Sequence, residues 1–130
     1  MSDWTGDELA AIGDAEELDL ASRRTDGTLR RPVTMWVVRV GQSLYVRCMN
    51  GQTGAWYRGT RTRRQGRVTA GGVEADVAFT DADPADSGLH ERIDEVYRAK
   101  YRRYSANIVG SVVNPGARAA TIELVPERPS

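Results

Sequence analysis

The stretch from Arg47 to Arg58, RCMNGQTGAWYR, sets a guanidinium, a loop with glycines at 51 and 54, and two adjacent aromatic side chains in succession. That order suits an oxyanion beside a flat ring. Backbone amides in a glycine loop and in the first turn of a following helix attract phosphate. Arg47, Arg58 or Arg61 adds direct charge, and Trp56 and Tyr57 offer a ring surface, with core packing as the alternative reading of Trp56. Other reactive side chains are less well placed. Cys48 has no base near it, since the one histidine, His90, lies far along the chain. Its even spacing with Leu44 and Val46 predicts a small apolar residue on a buried face. His90, beside Glu91 at a helix start, reads as a solvated or capping residue. The acid pairs Glu74 with Asp76 and Asp94 with Glu95 could do acid–base work, but on an alternating strand and an amphipathic helix they fall on solvent faces.

The elements that must position these residues follow from local pattern. Thr5-Gly6-Asp7-Glu8 has the form of a capping box and predicts a helix to about Glu16. Glu17 to Ser22 alternates and predicts a strand, followed by a turn at Thr25-Asp26-Gly27. TLRRPVTMWVVRV, Thr28 to Val40, reads as one long strand, turned by Gly41-Gln42 into a second over Ser43 to Met49. Asn50 to Gly54 is a loop feeding a short helix from Ala55 to Gln65. Arg67 to Ala70 and Val73 to Phe79 flank a Gly71-Gly72 turn as a hairpin. Leu89, Ile93, Val96, Tyr97, Lys100, Tyr101 and Tyr104 recur at helical spacing, and Ile108 to Val113 reads as a further helical turn. Asn114-Pro115-Gly116 is a break before a closing strand from Ala117 to Val125. Successive strands joined by tight turns make an antiparallel meander, and one this small removes its edges by closing into a barrel.

Composition sets bounds. The chain of 130 residues fits one domain over 1–130. Its net charge of zero hides strong segregation: residues 1–20 carry seven acids and no base, whereas residues 21–70 carry eleven arginines and one acid. A basic piece of that size draws anionic ligands. Biased use of arginine is the plain alternative. Arginines spread over both faces of the expected strands, with no net charge overall, argue against nucleic acid as a partner. One cysteine and one histidine exclude a disulfide scaffold and a structural metal site. No apolar run approaches the ~20 residues that span a bilayer. The acidic start lacks the basic region of a signal peptide, so a cytoplasmic protein without membrane partners is expected.

The run Gly27, Arg30-Arg31-Pro32, Trp36-Val37-Val38, Leu44-Tyr45-Val46, Asn50-Gly51, Gly54-Ala55-Trp56-Tyr57 and Gly71-Gly72 resembles the split-barrel flavin and deazaflavin proteins, particularly the deazaflavin-dependent nitroreductases. Trp4 with Glu8-Leu9, Asp26-Gly27, and Val73-Glu74 with Asp76-Val77 look like a small uncharacterised bacterial family of that superfamily. The resemblance covers Trp4 to Pro126 and implies a mainly β (α+β) fold, a small antiparallel split barrel with flanking helices. By position it implies a cofactor role for Arg30, Arg31, Arg47, Met49, Asn50, Gly51, Thr53, Gly54, Trp56, Tyr57 and Arg58, and a substrate-side role for Tyr97, Tyr101 and Tyr104. The segment after Tyr57 departs from the nitroreductase pattern. The implied function is a flavin- or deazaflavin-dependent oxidoreductase acting on a small organic molecule, with FMN or the deazaflavin coenzyme as cofactor. The alternative is a cofactor-free protein that binds a small ligand in the barrel. A homodimer is implied as well, in keeping with Met35 and Trp36 pointing to opposite faces of one strand.

Overall fold

The computed structural model describes residues 4–49 and 51–127. Helix α1 (Gly6–Asp14) starts on the expected capping box: the Glu8 amide donates to Thr5 Oγ1 at 3.1 Å and the Thr5 amide to Glu8 Oε1 at 3.0 Å. It buries Leu9 and Ile12. Seven strands follow in one antiparallel sheet, β1 (Leu18–Ser22), β2 (Val33–Met35), β3 (Val38–Val40), β4 (Ser43–Arg47), β5 (Gln65–Ala70), β6 (Val73–Asp81) and β7 (Thr121–Pro126). Helix α2 (Ala55–Arg63) lies between β4 and β5, and α3 (Ser87–Lys100), α4 (Ala106–Val113) and α5 (Pro115–Ala119) between β6 and β7.

Spatial order is β2-β1-β5-β6-β7-β4-β3. The two outermost strands, β2 and β3, are neighbours in sequence, joined only by Trp36 and Val37. Chain geometry keeps Met35 and Val38 within about 11 Å. The sheet must therefore curl until its edges nearly meet, which makes it a split barrel. The long strand expected from Thr28 to Val40 is corrected accordingly: its β-forming composition is continuous, but its register with β1 ends at Met35 and its register with β4 begins at Val38. At the break the Val37 amide and carbonyl leave the ladder for side chains of α3 and its C-terminal cap.

The curl sorts side chains to two cores. Inside, Leu44, Val46 and Cys48 of the β4 segment pack with Leu9, Ile12, Leu20, Phe79, Ile122 and Leu124. Cys48 is buried there as its spacing predicts. Outside, Val38 and Tyr45 meet Ile93, Tyr97 and Tyr101 from the α3 segment and Val109 and Val112 of α4. Strand β4 is thus covered on both faces. The Trp4 indole donates to the Leu124 carbonyl at 2.8 Å, fastening the start of the described chain to β7, which sits between β6 and β4.

The closing strand is also corrected. Asn114 does not simply break the helix; its Oδ1 accepts from the Ala117 amide at 2.8 Å and caps α5, with Pro115 at a first-turn position where no donor is needed. Strand β7 begins only at Thr121.

The Gly71-Gly72 turn yields a comparison of two adjacent glycines. Both have positive φ, 57° and 81°, but a Cβ on Gly71 would lie 2.2 Å from the Ala11 carbonyl oxygen of α1, whereas one on Gly72 meets nothing within 4 Å. Gly72→Ala is expected to cost about 1 kcal/mol, from backbone strain alone. Gly71→Ala is expected to cost about 3 kcal/mol, because α1 must also move. Urea unfolding of the two variants checks the order.

Candidate functional site

A cavity of about 400 Å³ opens at the seam where the sheet edges approach. Its wall takes Val33, Thr34 and Met35 from β2, Trp36 from the bridge, Arg47, Cys48 and Met49 at the end of β4, Trp56 from α2, Ile108 and Val112 from α4, and Glu17. Among the described residues the large exposed apolar side chains are Val33 at 38%, Met49 at 57% and Ile108 at 45%, and all three stand on this wall.

Trp56, the second residue of α2, is half-buried, packing on the inner core while facing the cavity. Both readings of it hold together. Tyr57 is buried edge-on to Trp56 at 6.4 Å, and its hydroxyl accepts from Arg61 at 3.0 Å. Arg61 itself forms a two-pronged pair with Asp81. Gly54 caps α2 without a side-chain acceptor, after a 3-10 turn over Gly51–Thr53. Gly51 and Gly54 are buried and Thr53 is exposed. Asn50 lies outside the described residues.

The remaining arginines divide sharply. Arg30 reaches across α2, its Nη2 donating to Thr62 Oγ1 at 3.4 Å, and its Nε is buried with no partner. A Cβ on Gly59 would sit 3.3 Å from that Nε, so Arg30 lies on the α2 face that starts at Trp56 and runs through Gly59. Arg31 is exposed two residues before Val33 of the cavity wall, and Arg58 is exposed on α2. No carboxylate pairs with Arg30, Arg31 or Arg58 among the described residues.

Arg47 has the opposite character. Its guanidinium is fully buried and all five of its donors are engaged: Nε to Thr121 Oγ1 at 2.9 Å, Nη1 to Asp94 Oδ1 and to the Val112 carbonyl at 2.9 Å, Nη2 to His90 Nδ1 at 3.0 Å and to the His90 carbonyl at 3.4 Å. The second oxygen of Asp94 accepts from Arg118. Because His90 Nδ1 faces a donor and Nε2 faces the Asp83 carbonyl at 2.9 Å, the proton of the neutral ring sits on Nε2. The expected solvent positions of Asp94 and His90 are thereby corrected: both are 1% exposed. Residues 90, 93, 94, 97 and 101 form the buried stripe of the α3 segment. The sequence signal was present in that i, i+3, i+4, i+7 spacing, masked by the polarity of its members. Burial acts to raise the Asp94 carboxyl, but the guanidiniums of Arg118 and Arg47 outweigh it and hold the carboxyl below its ordinary value.

Of the three tyrosines, none is on the cavity wall. Tyr97 is fully buried with its ring beneath the Arg47 guanidinium at 5.6 Å, and its hydroxyl has no partner. Burial pushes its phenol up. Tyr101 stacks on Trp36 with centroids 3.9 Å apart and planes 7° apart, and Tyr104 leans on the same indole at 5.0 Å. They stand behind Trp36, which faces the cavity. Among the described residues, no group of three His, Cys, Asp or Glu is placed to hold a metal ion, and no helix is long and apolar enough to cross a membrane.

A family model described as an uncharacterized protein conserved in bacteria (DUF2255) matches residues 8–124. No curated protein matches the chain. Among solved structures, it is similar to a candidate pyridoxamine 5'-phosphate oxidase from Listeria innocua, with a TM-score of 0.63 at 19% identity over 92% of this chain and 90% of that one. It is also similar to an FAD-binding protein from Mesorhizobium loti, with a TM-score of 0.59 at 16% identity over 96% and 91%. An F420 reductase gives 0.56 at 14% identity over 92% and 93%. At such identities the likeness establishes the split-barrel fold.

The Arg47 cluster predicts a stability effect with a sign in pH. Asp94→Asn leaves Arg47 buried without its counter-charge and is expected to cost about 3–5 kcal/mol, against under about 0.5 kcal/mol for Arg58→Ala. The Asp94 carboxyl is depressed by folding, so its contribution is full above the ordinary value of 3.8 and is lost as pH falls through the lower folded value. Denaturant unfolding of wild type and Asp94→Asn at pH 7 and at pH 3 should show the gap between them narrowing in acid.

Proposed function

The chain belongs to this bacterial family of uncharacterized proteins (DUF2255), and on its split-barrel frame we propose that the seam cavity takes the ring of FMN or of a deazaflavin coenzyme, the protein being an oxidoreductase of small organic molecules. The observation that carries the reading is a cavity of about 400 Å³ walled by Trp36 and Trp56, with Arg31, which no carboxylate pairs among the described residues, exposed two residues before Val33 of its wall. The volume lies in the range of roughly 300–1,000 Å³ usual for ligand sites. The residues fit an anionic ring compound: the buried Nε of Arg30 is a donor without an acceptor on the face of α2 that Trp56 begins. The names of two similar structures, an FAD-binding protein and an F420 reductase, support the same class.

When bound, a coenzyme of this class supplies hydride transfer. The chain supplies the rest. Trp36 and Trp56 orient a ring and exclude water; Arg30, Arg31 and the amides at the start of α2 hold negative charge. Arg47, committed to Asp94, serves as a strut that ties the end of β4 to the Val112 carbonyl of the cavity wall. Tyr101 and Tyr104 are positioning residues that hold Trp36 from behind. Glu17, on the wall, accepts hydrogen bonds from a ligand edge or substrate. A second copy of the chain covers the apolar rim formed by Val33, Met49 and Ile108, which completes the enclosure.

Calorimetric titration with FMN and with the deazaflavin coenzyme should show one ligand per chain and a change in tryptophan fluorescence. Arg30→Ala and Arg31→Ala should each weaken it by about 1.5–3 kcal/mol, roughly ten- to hundredfold. Binding of both coenzymes weaker than about 1 mM, some 4 kcal/mol, favours the cofactor-free small-ligand protein instead. Light scattering at tens of micromolar tests the covered rim separately: a dimer is expected, and a particle of 14.3 kDa would remove the second copy from the account.

A further inference from the structure

Lysine occurs once in this chain, at position 100, where every other basic side chain apart from His90 is an arginine. It is the last residue of α3, and its Nζ donates to the Val37 carbonyl at 2.6 Å while lying 5.2 Å from the centre of the Tyr101 ring. The amine is half-buried and lines a groove of about 380 Å³ that shares no lining residue with the seam cavity. Gly13 and Asp14 of α1, Arg39 of β3 and Val96 and Ala99 of α3 complete the groove. Burial pushes the Lys100 ammonium down to about 8, with Asp14 opposing that shift. An ordinary lysine at neutral pH is almost wholly protonated and inert; this one presents a usable fraction of free amine.

Arg39 adds the second element. Its stem packs against Gly13, where a Cβ would lie 3.1 Å from that of Arg39, and its Nε donates to the Gly41 carbonyl at 2.9 Å. The terminal nitrogens have no carboxylate or other acceptor among the described residues. A fixed guanidinium beside a nucleophilic amine, in one groove, matches a small electrophile that carries phosphate. The groups facing Lys100 are Asp14 from α1, Arg39 from β3 and the Tyr101 ring after α3, so the groove carries one positive charge with Lys100 as the ammonium and none once its amine is free.

We propose that Lys100 is an acylation site, its ε-amine taking the acyl group of an acyl phosphate whose phosphate Arg39 holds. The nitrogen lone pair forms the amide C–N bond to the acyl carbon. The C–O bond to phosphate breaks, phosphate leaves with the electron pair, and the nitrogen gives its proton to the departing phosphate. The product amide keeps an N–H for the Val37 carbonyl but loses the positive charge beside Tyr101.

Acetyl phosphate is the probe, with peptide mass mapping to separate Lys100 from the terminal amine. At pH 8, Lys100 in the native protein should be acetylated about tenfold faster than the same residue in the chain unfolded by guanidinium chloride. Arg39→Gln should slow the native reaction with acetyl phosphate severalfold, while leaving unchanged the reaction with acetyl N-hydroxysuccinimide ester, which has no phosphate. That second arm also reports that the variant groove is intact. Lys100 reacting no faster folded than unfolded, or Arg39→Gln reacting at the wild-type rate with acetyl phosphate, overturns the assignment.

Discussion

The hydroxyl of Tyr101 holds the sheet closed. It donates to the Glu16 carbonyl at 2.6 Å and accepts from the Val37 amide at 3.3 Å, so one side chain ties the segment entering β1 to the bridge between β2 and β3. The Val37 carbonyl, the other half of that peptide position, is taken by Lys100. Without these partners two buried backbone groups at the turn between sheet edges go unsatisfied, at a cost of about 1–3 kcal/mol each. The ring of Tyr101 meanwhile supports Trp36 face to face. The position of the cavity's inner wall is therefore set by the same residue that closes the barrel.

The Arg47 cluster solves a different problem. Burying a guanidinium costs several kcal/mol unless every donor is met, and here the five partners come from α3, α4 and β7, elements distant in sequence. The set is met only when α3, α4 and β7 all stand at the end of β4 together. Specificity of arrangement, more than net stability, is what such a cluster gives. It also takes Arg47 out of the pool of cations open to an anion, a pool to which Arg30, Arg31 and Arg58, with no carboxylate partner among the described residues, still belong.

What could be read in advance follows from how local each decision is. The α1 capping box, the β5–β6 hairpin at Gly71-Gly72 and the Gly27 turn depend on residues within a few positions, and all three are present in the structure. A small barrel was legible from the succession of strands and turns and its split form from the family resemblance, but the expected meander order is corrected: β1 pairs with β5, and β7 enters between β6 and β4. The break at Trp36-Val37 was not legible, because it is made by Tyr101 and Lys100, more than sixty residues on. The burial of Asp94 and His90 was legible only in their helical spacing with Ile93 and Tyr97, and their polarity masked it because the partner that allows it, Arg47, lies in β4. The cavity was legible in part: Trp56 and Met49 were singled out, whereas Val33, Ile108 and Val112 reach the wall only through the curl of the sheet.

The place of β7 bears on how the chain is made. As the last strand it lies between β6 and β4. Until it is in place the sheet exists as two unconnected pieces, β2-β1-β5-β6 and β4-β3, linked through the chain but not through hydrogen bonds. During synthesis from the N-terminus both pieces emerge first, each with an unpaired edge and a half-covered apolar face. The Trp4 indole waits for the Leu124 carbonyl over 120 residues of sequence. Closure of this barrel accordingly waits for β7, and the interval before that strand emerges is when the two pieces are most exposed to pairing with a neighbour.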